Sequence, residues 1–198
     1  MNNCASIFNA FEIAAQLLQA TDKGKKAIIL VGDLTFTQSL RLVTNASVMG
    51  DASAAVLVSH SHTDNKLIAT ALLTAGKYTA GIWIEPALQR DFEAHFARLL
   101  KQVIDEVLMK AKLTLQDIAL IIPHNVNRYI WRDFSKTFSI PFEKFFIENI
   151  SRYAHCFGAD MIINYVDVHH KGLLKKGDYY LMLTVGLGAV FCATLLQY

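Results

Sequence analysis

Cys4 stands directly before a predicted helix near the start of the chain. At a helix start, unpaired backbone N–H groups and the positive end of the helix dipole stabilise a thiolate. Such a thiolate is a good nucleophile for a thioester carbonyl, and the same N–H groups can hold the oxyanion that forms on attack. The alternative is a buried thiol that packs as a small apolar side chain, which is the commoner state of an isolated cysteine.

His124 is the second candidate, because it follows a predicted buried strand at residues 118–122. In open α/β sheets, ligands bind at the carboxyl ends of the strands. A single histidine at such a position is more often structural than catalytic. The polar residues next to it, which favour a polar site, are Asn125, Asn127 and Arg128.

A third candidate region, residues 153–160, places His155 and Asp160 just before a predicted helix. Asp160 can cap that helix through its side chain. Alternatively, it can accept a hydrogen bond from an imidazole and fix its tautomer, as the third member of a catalytic triad does. Both interpretations stay open from the residues alone.

Gly186, Leu187 and Gly188 lie within a stretch, residues 179–198, that carries no charge. The stretch is about long enough to span a bilayer. Its central glycines and its strand-forming side chains instead favour two buried strands joined at a tight turn, where glycine adopts unusual φ angles. The functional alternative for this loop is a backbone N–H that completes an oxyanion hole.

The composition is that of a protein with a sizeable buried core. Of the 198 residues, 53% are hydrophobic and 18% are charged, which excludes intrinsic disorder. A net charge of +2, without a basic stripe and interleaved aromatic residues, gives no support to nucleic-acid binding. Three cysteines without a CxxC pair argue against a disulfide scaffold and for a reducing cytoplasm.

Hydrophobic periodicity predicts alternating helices and strands. Helical patterns occur at residues 7–18, 39–43, 86–112, 126–138 and 161–170. Short apolar runs predict strands at residues 26–32, 54–59, 66–74 and 118–122, besides the two near the C-terminus. This alternation indicates an α/β fold with a largely parallel or mixed sheet.

Several short motifs occur in an order that resembles one known family. They are Asn3-Cys4-Ala-Ser-Ile-Phe, KKAIILVGD from residue 25, Met49-Gly-Asp-Ala-Ser-Ala-Ala-Val-Leu, Pro123-His-Asn-Val-Asn127, Lys175-Lys-Gly-Asp and Val185-Gly-Leu-Gly188. The chain resembles the C-terminal two-thirds of the 3-oxoacyl-acyl-carrier-protein synthase III family, the ketosynthase III-like branch of the thiolase superfamily. The resemblance implies an incomplete thiolase-like α/β fold, in which residues 1–65 are the nucleophile-bearing end of the N-terminal half. Residues 66–198 are then the whole C-terminal half, with His124 as its catalytic histidine.

One departure from the family pattern concerns the reaction. Condensing members carry an Asn, in a Gly-Asn-Thr-Ser setting, where this chain has His155. The pattern His155-xxxx-Asp160 instead resembles a subset that transfers acyl groups to an alcohol or amine with Cys, His and Asp. The resemblance therefore implies that Cys4 carries the acyl group and that His124 acts as general base with Asp160 behind it. We expect these three side chains to converge.

Two other functions stay open. A decarboxylative 3-oxoacyl-ACP synthase forms a C–C bond from a malonyl thioester, and His155 would there donate one hydrogen bond in place of the usual Asn. A non-catalytic partner, or a truncated remnant of such an enzyme, would keep the fold while Cys4 is unreactive.

The resemblance also implies the partners. The substrate is an acyl-CoA or an acyl-carrier-protein thioester, and no bound cofactor is expected. Arg128, Arg132 and Lys136 lie at i, i+4 and i+8 of one predicted helix, where they meet the phosphopantetheine or the acidic carrier protein, or simply form a solvated face. Because the first strands of the family's N-terminal half are missing, we expect a homodimer or a complementary N-terminal chain. No membrane partner is expected.

Two pairs of histidines raise the question of a metal site: His60 with His62, and His169 with His170. Neither pair has cysteines or carboxylates at the spacing that metal ligands require, so no metal site is predicted.

Overall fold

The chain forms two main β-sheets, a short two-stranded ribbon, and helices between and beside the sheets. The computed structural model describes residues 3–35, 37–43, 46–60 and 64–198. The helices are α1 (Ser6–Gln19), α2 (Pro86–Ala111), α3 (Arg128–Thr137), α4 (Ile150–Tyr153) and α5 (Asp160–His170). The strands are β1 (Lys26–Asp33), β2 (Leu42–Val43), β3 (Ser47–Val48), β4 (Ala52–Ser59), β5 (Lys66–Thr74), β6 (Ile118–Pro123), β7 (Tyr179–Gly186) and β8 (Val190–Gln197).

The larger sheet contains four strands in the order β5-β8-β7-β6. β6 runs parallel to β7, and the other two pairs are antiparallel. β7 and β8 form a hairpin in which Gly186 pairs with Val190, and Gly188 has a φ of 121°, a conformation that favours glycine. The uncharged C-terminal stretch is therefore two buried strands, as predicted. Among the residues that the structure describes, no helix is long and apolar enough to cross a membrane.

Alternate side chains of the larger sheet pack on different helices, as the two-residue period of a strand requires. One face, which includes Leu183 of β7, belongs to the same buried cluster as Val103 of α2. The other face, which includes Met182, belongs to a cluster with Phe8 of α1 and Met161 of α5. α1 and α5 thus form a middle layer of helices.

The smaller sheet, β1 paired antiparallel with β4, covers the opposite side of the middle helices. Ile29 of β1 belongs to the same buried cluster as Phe8 of α1. On the outer face, Ile28, Leu30 and Leu57 are 65%, 73% and 59% exposed. The continuous apolar run of β1 predicts a strand covered on both faces, but within the described residues only the face toward α1 is covered.

Most predicted elements are confirmed to within a few residues, with one exception. The predicted helix at residues 39–43 is wrong, because a 3-10 turn at Gln38–Leu40 is followed by β2, which pairs with β3. A five-residue segment makes too few intrahelical hydrogen bonds to be stable by itself, so strand pairing decides its conformation. The smaller sheet precedes residue 65 and the larger sheet follows it. The division of the chain into residues 1–65 and 66–198 stays a prediction.

Candidate active site

Cys4 lies in the 3-10 turn Asn3–Ala5, which leads directly into α1. Its side chain is buried, and Ile7 and Phe8 in the first turn of α1 are fully buried in the apolar cluster of the middle layer. The apolar spacing of α1 therefore anchors Cys4 at the start of a central helix.

His155 bridges Cys4 and Asp160. The Sγ atom of Cys4 lies 3.1 Å from Nε2 of His155, and Nδ1 of the same ring lies 2.5 Å from Oδ2 of Asp160. All three residues are at most 5% exposed. A nucleophile, an imidazole and a carboxylate in this sequence of contacts form the arrangement of a catalytic triad.

The carboxylate of Asp160 is held by two backbone N–H groups besides His155. Asn125 N donates to Oδ2 at 2.7 Å, and Cys156 N donates to Oδ1 at 2.6 Å. These donors come from the β6–α3 loop and from the segment that contains His155. Asp160 therefore ties three segments together and presents a fixed oxygen to the imidazole.

The pKa of His155 reflects this pairing. Burial disfavours the imidazolium, but the hydrogen bonds with Asp160 and Cys4 outweigh it and raise the pKa of His155 to about 10. The ring is therefore protonated at neutral pH and has an N–H on each nitrogen. An imidazolium at this distance from a cysteine sulfur stabilises the thiolate form.

His124 is not the imidazole that Asp160 supports, which corrects the pairing expected from the sequence. The Nδ1 atom of His124 lies 3.2 Å from Oγ1 of Thr184. The backbone N–H of His124 donates to Leu183 O at 2.9 Å, which extends the β6–β7 ladder by one residue. This strand pairing sets His124 beside β7, while Asp160 faces His155.

The environment of His124 keeps its ring neutral. The side chain is buried, and its ring lies edge-on to those of Trp131 and His155 at centroid distances of 5.4 and 5.3 Å. Burial, with a smaller contribution from the charge on His155, lowers the pKa of His124 well below its usual value of 6.5. Its Nε2 atom has no hydrogen-bond partner within the described part of the chain.

The backbone of His155 is hydrogen-bonded to β3 and to the connection between β3 and β4. His155 N donates to Val48 O at 2.9 Å, and Gly50 N donates to His155 O at 2.9 Å. The residue before it, Ala154, has a φ of 60° and a ψ of −161°, a sparsely populated conformation that directs the chain into this contact.

Two motif glycines permit the close approach of these segments. A Cβ atom at Gly50 would lie 2.5 Å from Tyr153 O and 2.7 Å from Cys156 Sγ. A Cβ atom at Gly158 would lie 2.8 Å from Cγ2 of Val31 in β1. All three distances are too short for real contacts, so any side chain would push the His155 segment away from its neighbours.

A cavity of about 140 Å³ lies beside His124. Its wall includes the predicted loop Gly186, Leu187 and Gly188, together with Phe92 of α2. The remaining lining residues are apolar or aromatic and come from β7, α2, α3, the loops next to β7 and α3, and the segments before α2. His124 thus lines a small, largely apolar space, smaller than the usual pocket for a whole ligand.

The predicted basic residues lie on α3. Arg128 and Lys136 are exposed, and Arg132 is half-buried with its guanidinium 5.9 Å from the ring of Tyr129 and 5.6 Å from that of Phe142. The three cations are available on one helix, and their contact with a carrier protein or CoA stays a prediction.

No group of three or more potential metal ligands (His, Cys, Asp or Glu) occurs in the described ranges. Nε2 of His60 pairs with Leu18 O at 2.5 Å, and Nδ1 of His169 pairs with the hydroxyl of Tyr198 at 2.8 Å. His62 lies outside the described residues.

Sequence reasoning missed three buried polar residues around the site, Asn149, Asn164 and Thr184. A usable signal exists for Asn164, because it interrupts the apolar pattern of α5 four residues after Asp160 and therefore lies on the same helical face. Thr184 carries no such signal, since threonine is common in strands.

Comparison with known proteins shows what the chain resembles. Residues 108–198 match the family described as 3-oxoacyl-[acyl-carrier-protein (ACP)] synthase III C terminal. The beta-ketoacyl-[acyl-carrier-protein] synthase III of Aquifex aeolicus is 26% identical over an alignment of 209 positions, which covers 98% of this chain and 64% of that protein. The chain thus resembles the ketosynthase III-like branch of the thiolase superfamily. The synthase III of Clostridium tetani is 38% identical over 95 residues, 48% of this chain and 28% of the relative.

Solved structures share the fold of this chain. The acyltransferase ChlB3 matches with a TM-score of 0.88 at 21% identity, over 98% of this chain and 65% of ChlB3. The Aquifex aeolicus synthase matches with a TM-score of 0.80 at 24% identity, over 99% and 65% of the two chains. These likenesses confirm the predicted thiolase-like α/β fold. The chain spans about two thirds of the length of these relatives.

Proposed function

We propose that this ketosynthase III-like chain carries the catalytic centre of a thioester-dependent acyltransferase. Cys4 accepts an acyl group from acyl-CoA or acyl-carrier protein and passes it to a hydroxyl or amine acceptor. The observation that carries the proposal is the contact of His155 with both Cys4 Sγ and Asp160 Oδ2. Acyl transfer to a hydroxyl or amine requires a base that removes a proton from the acceptor. An imidazole that is held in place by a carboxylate is such a base.

Loading begins when the thiolate of Cys4 attacks the carbonyl carbon of the donor thioester. A C–S bond to Cys4 forms and the carbonyl oxygen becomes an oxyanion. The oxyanion collapses, the bond to the donor sulfur breaks, and His155 gives its proton to the departing sulfur. The thiol of CoA or phosphopantetheine leaves, and neutral His155 remains beside the acylated cysteine.

Transfer moves the proton in the opposite direction. Neutral His155 takes the proton of the acceptor O–H or N–H as the acceptor attacks the acyl carbonyl. The bond to the Cys4 sulfur breaks, an ester or amide leaves, and the thiolate–imidazolium pair is restored. Asp160 stabilises the imidazolium and fixes its orientation without taking the proton.

His124 acts as a neutral hydrogen-bond donor to the oxyanion in this proposal. If the Thr184 hydroxyl donates to Nδ1, the ring proton resides on Nε2, which has no hydrogen-bond partner within the described residues. A donor in a dry site that keeps its charge state is suited to oxyanion stabilisation. The backbone of Gly186, Leu187 and Gly188, on the wall of the same cavity, is the second candidate donor.

The relatives support a thioester donor. The synthases of Aquifex aeolicus and Clostridium tetani are named for the acyl-carrier protein, and ChlB3 is described as an acyltransferase. The cations of α3, namely the exposed Arg128 and Lys136 and the half-buried Arg132, suit a phosphopantetheine or an acidic carrier protein. A homodimer or a complementary N-terminal chain stays a prediction for the working particle.

The alternative reaction, decarboxylative condensation, is less well supported. In the condensing pattern an Asn replaces His155 and binds the malonyl carbonyl. Here both ring nitrogens of His155 already have partners, Cys4 and Asp160. The ring therefore has no free donor for a second carbonyl while it supports the thiolate.

Intact-protein mass spectrometry after incubation with an acyl-CoA tests the proposal. We expect an acyl adduct on Cys4 that disappears on addition of an alcohol or amine acceptor. Cys4→Ala is the control and should carry no adduct. Release of carbon dioxide from a malonyl thioester would favour condensation, and a wild-type chain without any adduct would favour the non-catalytic alternative.

A further inference from the structure

Three asparagine amides lie buried beside the carboxylate of Asp160. Asn149 and Asn164 are 0% exposed and Asn125 is 1% exposed. A buried amide is costly unless its donors and acceptors find partners, and apolar side chains pack helices without that cost. We refer to Asn125, Asn149 and Asn164 as the amide network.

Asn164 is the centre of the amide network. Its Nδ2 donates to Asn125 Oδ1 at 2.9 Å and to Pro123 O at 3.0 Å. Its Oδ1 accepts from Asn149 Nδ2 at 3.0 Å. One side chain on α5 thus holds the end of β6, the loop that follows it, and the residue that precedes α4.

The amide network reaches the triad through a backbone group. Asn125 N donates to Oδ2 of Asp160, the same oxygen that pairs with Nδ1 of His155. Asn164 fixes Asn125 through its side chain and so fixes the direction of this N–H. Because Asn164 follows Asp160 by four residues on α5, the amide and the carboxylate share one face of the helix.

The amide network is not closed. Nδ2 of Asn125 and Oδ1 of Asn149 have no hydrogen-bond partner in the part of the chain that the structure describes. A network kept for stability alone would satisfy or replace these atoms, since a partly satisfied buried network is less stable than apolar packing. The contacts of Asn164 with the end of β6 and with Asn125 point to a role in placing the site.

We propose that Asn164 is a positioning residue that sets Asp160, acting through Asn125, for its hydrogen bond to His155. The proposal rests on the proposed function in one respect, namely that the His155–Asp160 pair serves Cys4 chemistry. When Asn164 is lost, Asn125 N moves relative to Oδ2, the carboxylate turns, and the imidazolium of His155 loses part of its stabilisation.

The test is an NMR titration of the imidazole nitrogens of His155 in the full chain. In Asn164→Ala we expect the midpoint for His155 to fall by about one pH unit or more, because the hydrogen bond to Asp160 is weakened. Acyl loading on Cys4 should slow by roughly tenfold, the rate equivalent of one unit of proton affinity. The titration needs no substrate, so it judges the positioning role even if the wild type shows no acyl loading.

Three further variants separate positioning from general destabilisation. Val168→Ala removes a buried apolar side chain from the same helix; it should lower the melting temperature without moving the His155 midpoint. Asn125→Ala should lower the midpoint as Asn164→Ala does, and the double variant should show no further fall, because both act on one contact. Asn149→Ala should also lower the titration midpoint of His155, but by a smaller amount.

An unchanged His155 midpoint in Asn164→Ala overturns the proposal, as does an equal shift in Val168→Ala. Additive shifts in the double variant contradict the route through Asn125. If Asn164→Ala does not fold, Asn125→Ala and Asn149→Ala serve as the test instead. An unchanged His155 titration midpoint in both of these variants overturns the proposal.

Discussion

The loop that carries His155 and the loop that carries His124 place two buried imidazoles 5.3 Å apart, measured between ring centroids. Nδ1 of His155 faces a carboxylate, whereas Nδ1 of His124 faces the hydroxyl of Thr184. The pKa of His155 is raised to about 10, and that of His124 is lowered well below 6.5. Both rings are buried, so burial by itself does not decide their charge.

The group that contacts Nδ1 therefore determines the role of each ring. A carboxylate favours the imidazolium, and His155 is therefore suited to carry a proton to and from the reacting atoms. A hydroxyl leaves a buried ring neutral, and His124 is suited to donate a hydrogen bond without changing charge. Neighbouring titratable groups whose environments push their pKa values apart are typical of acid–base sites.

The largest effect should follow from removing the proton carrier. We expect His155→Gln to slow acyl loading of Cys4 by roughly ten-thousandfold, because the thiolate loses its counter-ion and the leaving group its proton donor. Mass spectrometry of the acyl adduct over time measures this rate, and circular dichroism checks the fold. A loss of tenfold or less would remove His155 from the proposed chemistry.

A smaller effect is expected at the other ring. His124→Gln should slow loading by about a hundredfold, the usual consequence of removing one oxyanion donor. The thiolate should persist in this variant, since the contacts of His155 are unchanged. If His124→Gln were the more damaging of the two substitutions, the roles assigned to the two rings would be reversed.

The smallest effect is a difference in the pH dependence of stability. Because the folded pKa of His155 lies above its ordinary value, its stabilisation is fully present below about pH 6.5 and is lost as the pH rises through about 10. The lowered pKa of His124 has the opposite result, since the fold loses stability as the pH falls below 6.5.

Urea denaturation midpoints between pH 4 and pH 10 measure both contributions. His155→Gln should reduce the fall of the urea midpoint at alkaline pH and leave the midpoint at acid pH unchanged. His124→Gln should reduce the fall of the midpoint at acid pH. Two variants that change the same side of the profile would contradict the opposite charge states of the two rings.

The sequence predicts which residues form this site better than it predicts which of them contact each other. Cys4, His155 and Asp160 are all candidates from residue type and position, but the pattern joins Asp160 to His124. Local periodicity places each residue on its helix, strand or loop and does not say which imidazole reaches the carboxylate. That choice depends on the close approach at Gly50 and the positive φ of Ala154, which are tertiary features.

The outer face of β1 shows the same limit. Its apolar run predicts a strand, which is confirmed, and a cover on both faces, which the described residues do not supply. The contacts of the amide network cannot be predicted from the sequence for a related reason. Spacing places Asn164 on the face of α5 that carries Asp160, but only its three-dimensional contacts show that it binds Asn125 and Asn149.

Alkylation of Cys4 by iodoacetamide at pH 6.5 tests most directly whether His155 is the partner of the nucleophile. Burial raises the pKa of the thiols of Cys156 and Cys192, so peptide mapping should find Cys4 as the main labelled cysteine. We predict that His155→Gln slows this labelling by tenfold or more, while His124→Gln reacts at about the wild-type rate. Slow labelling in His124→Gln together with an unchanged rate in His155→Gln would contradict the account.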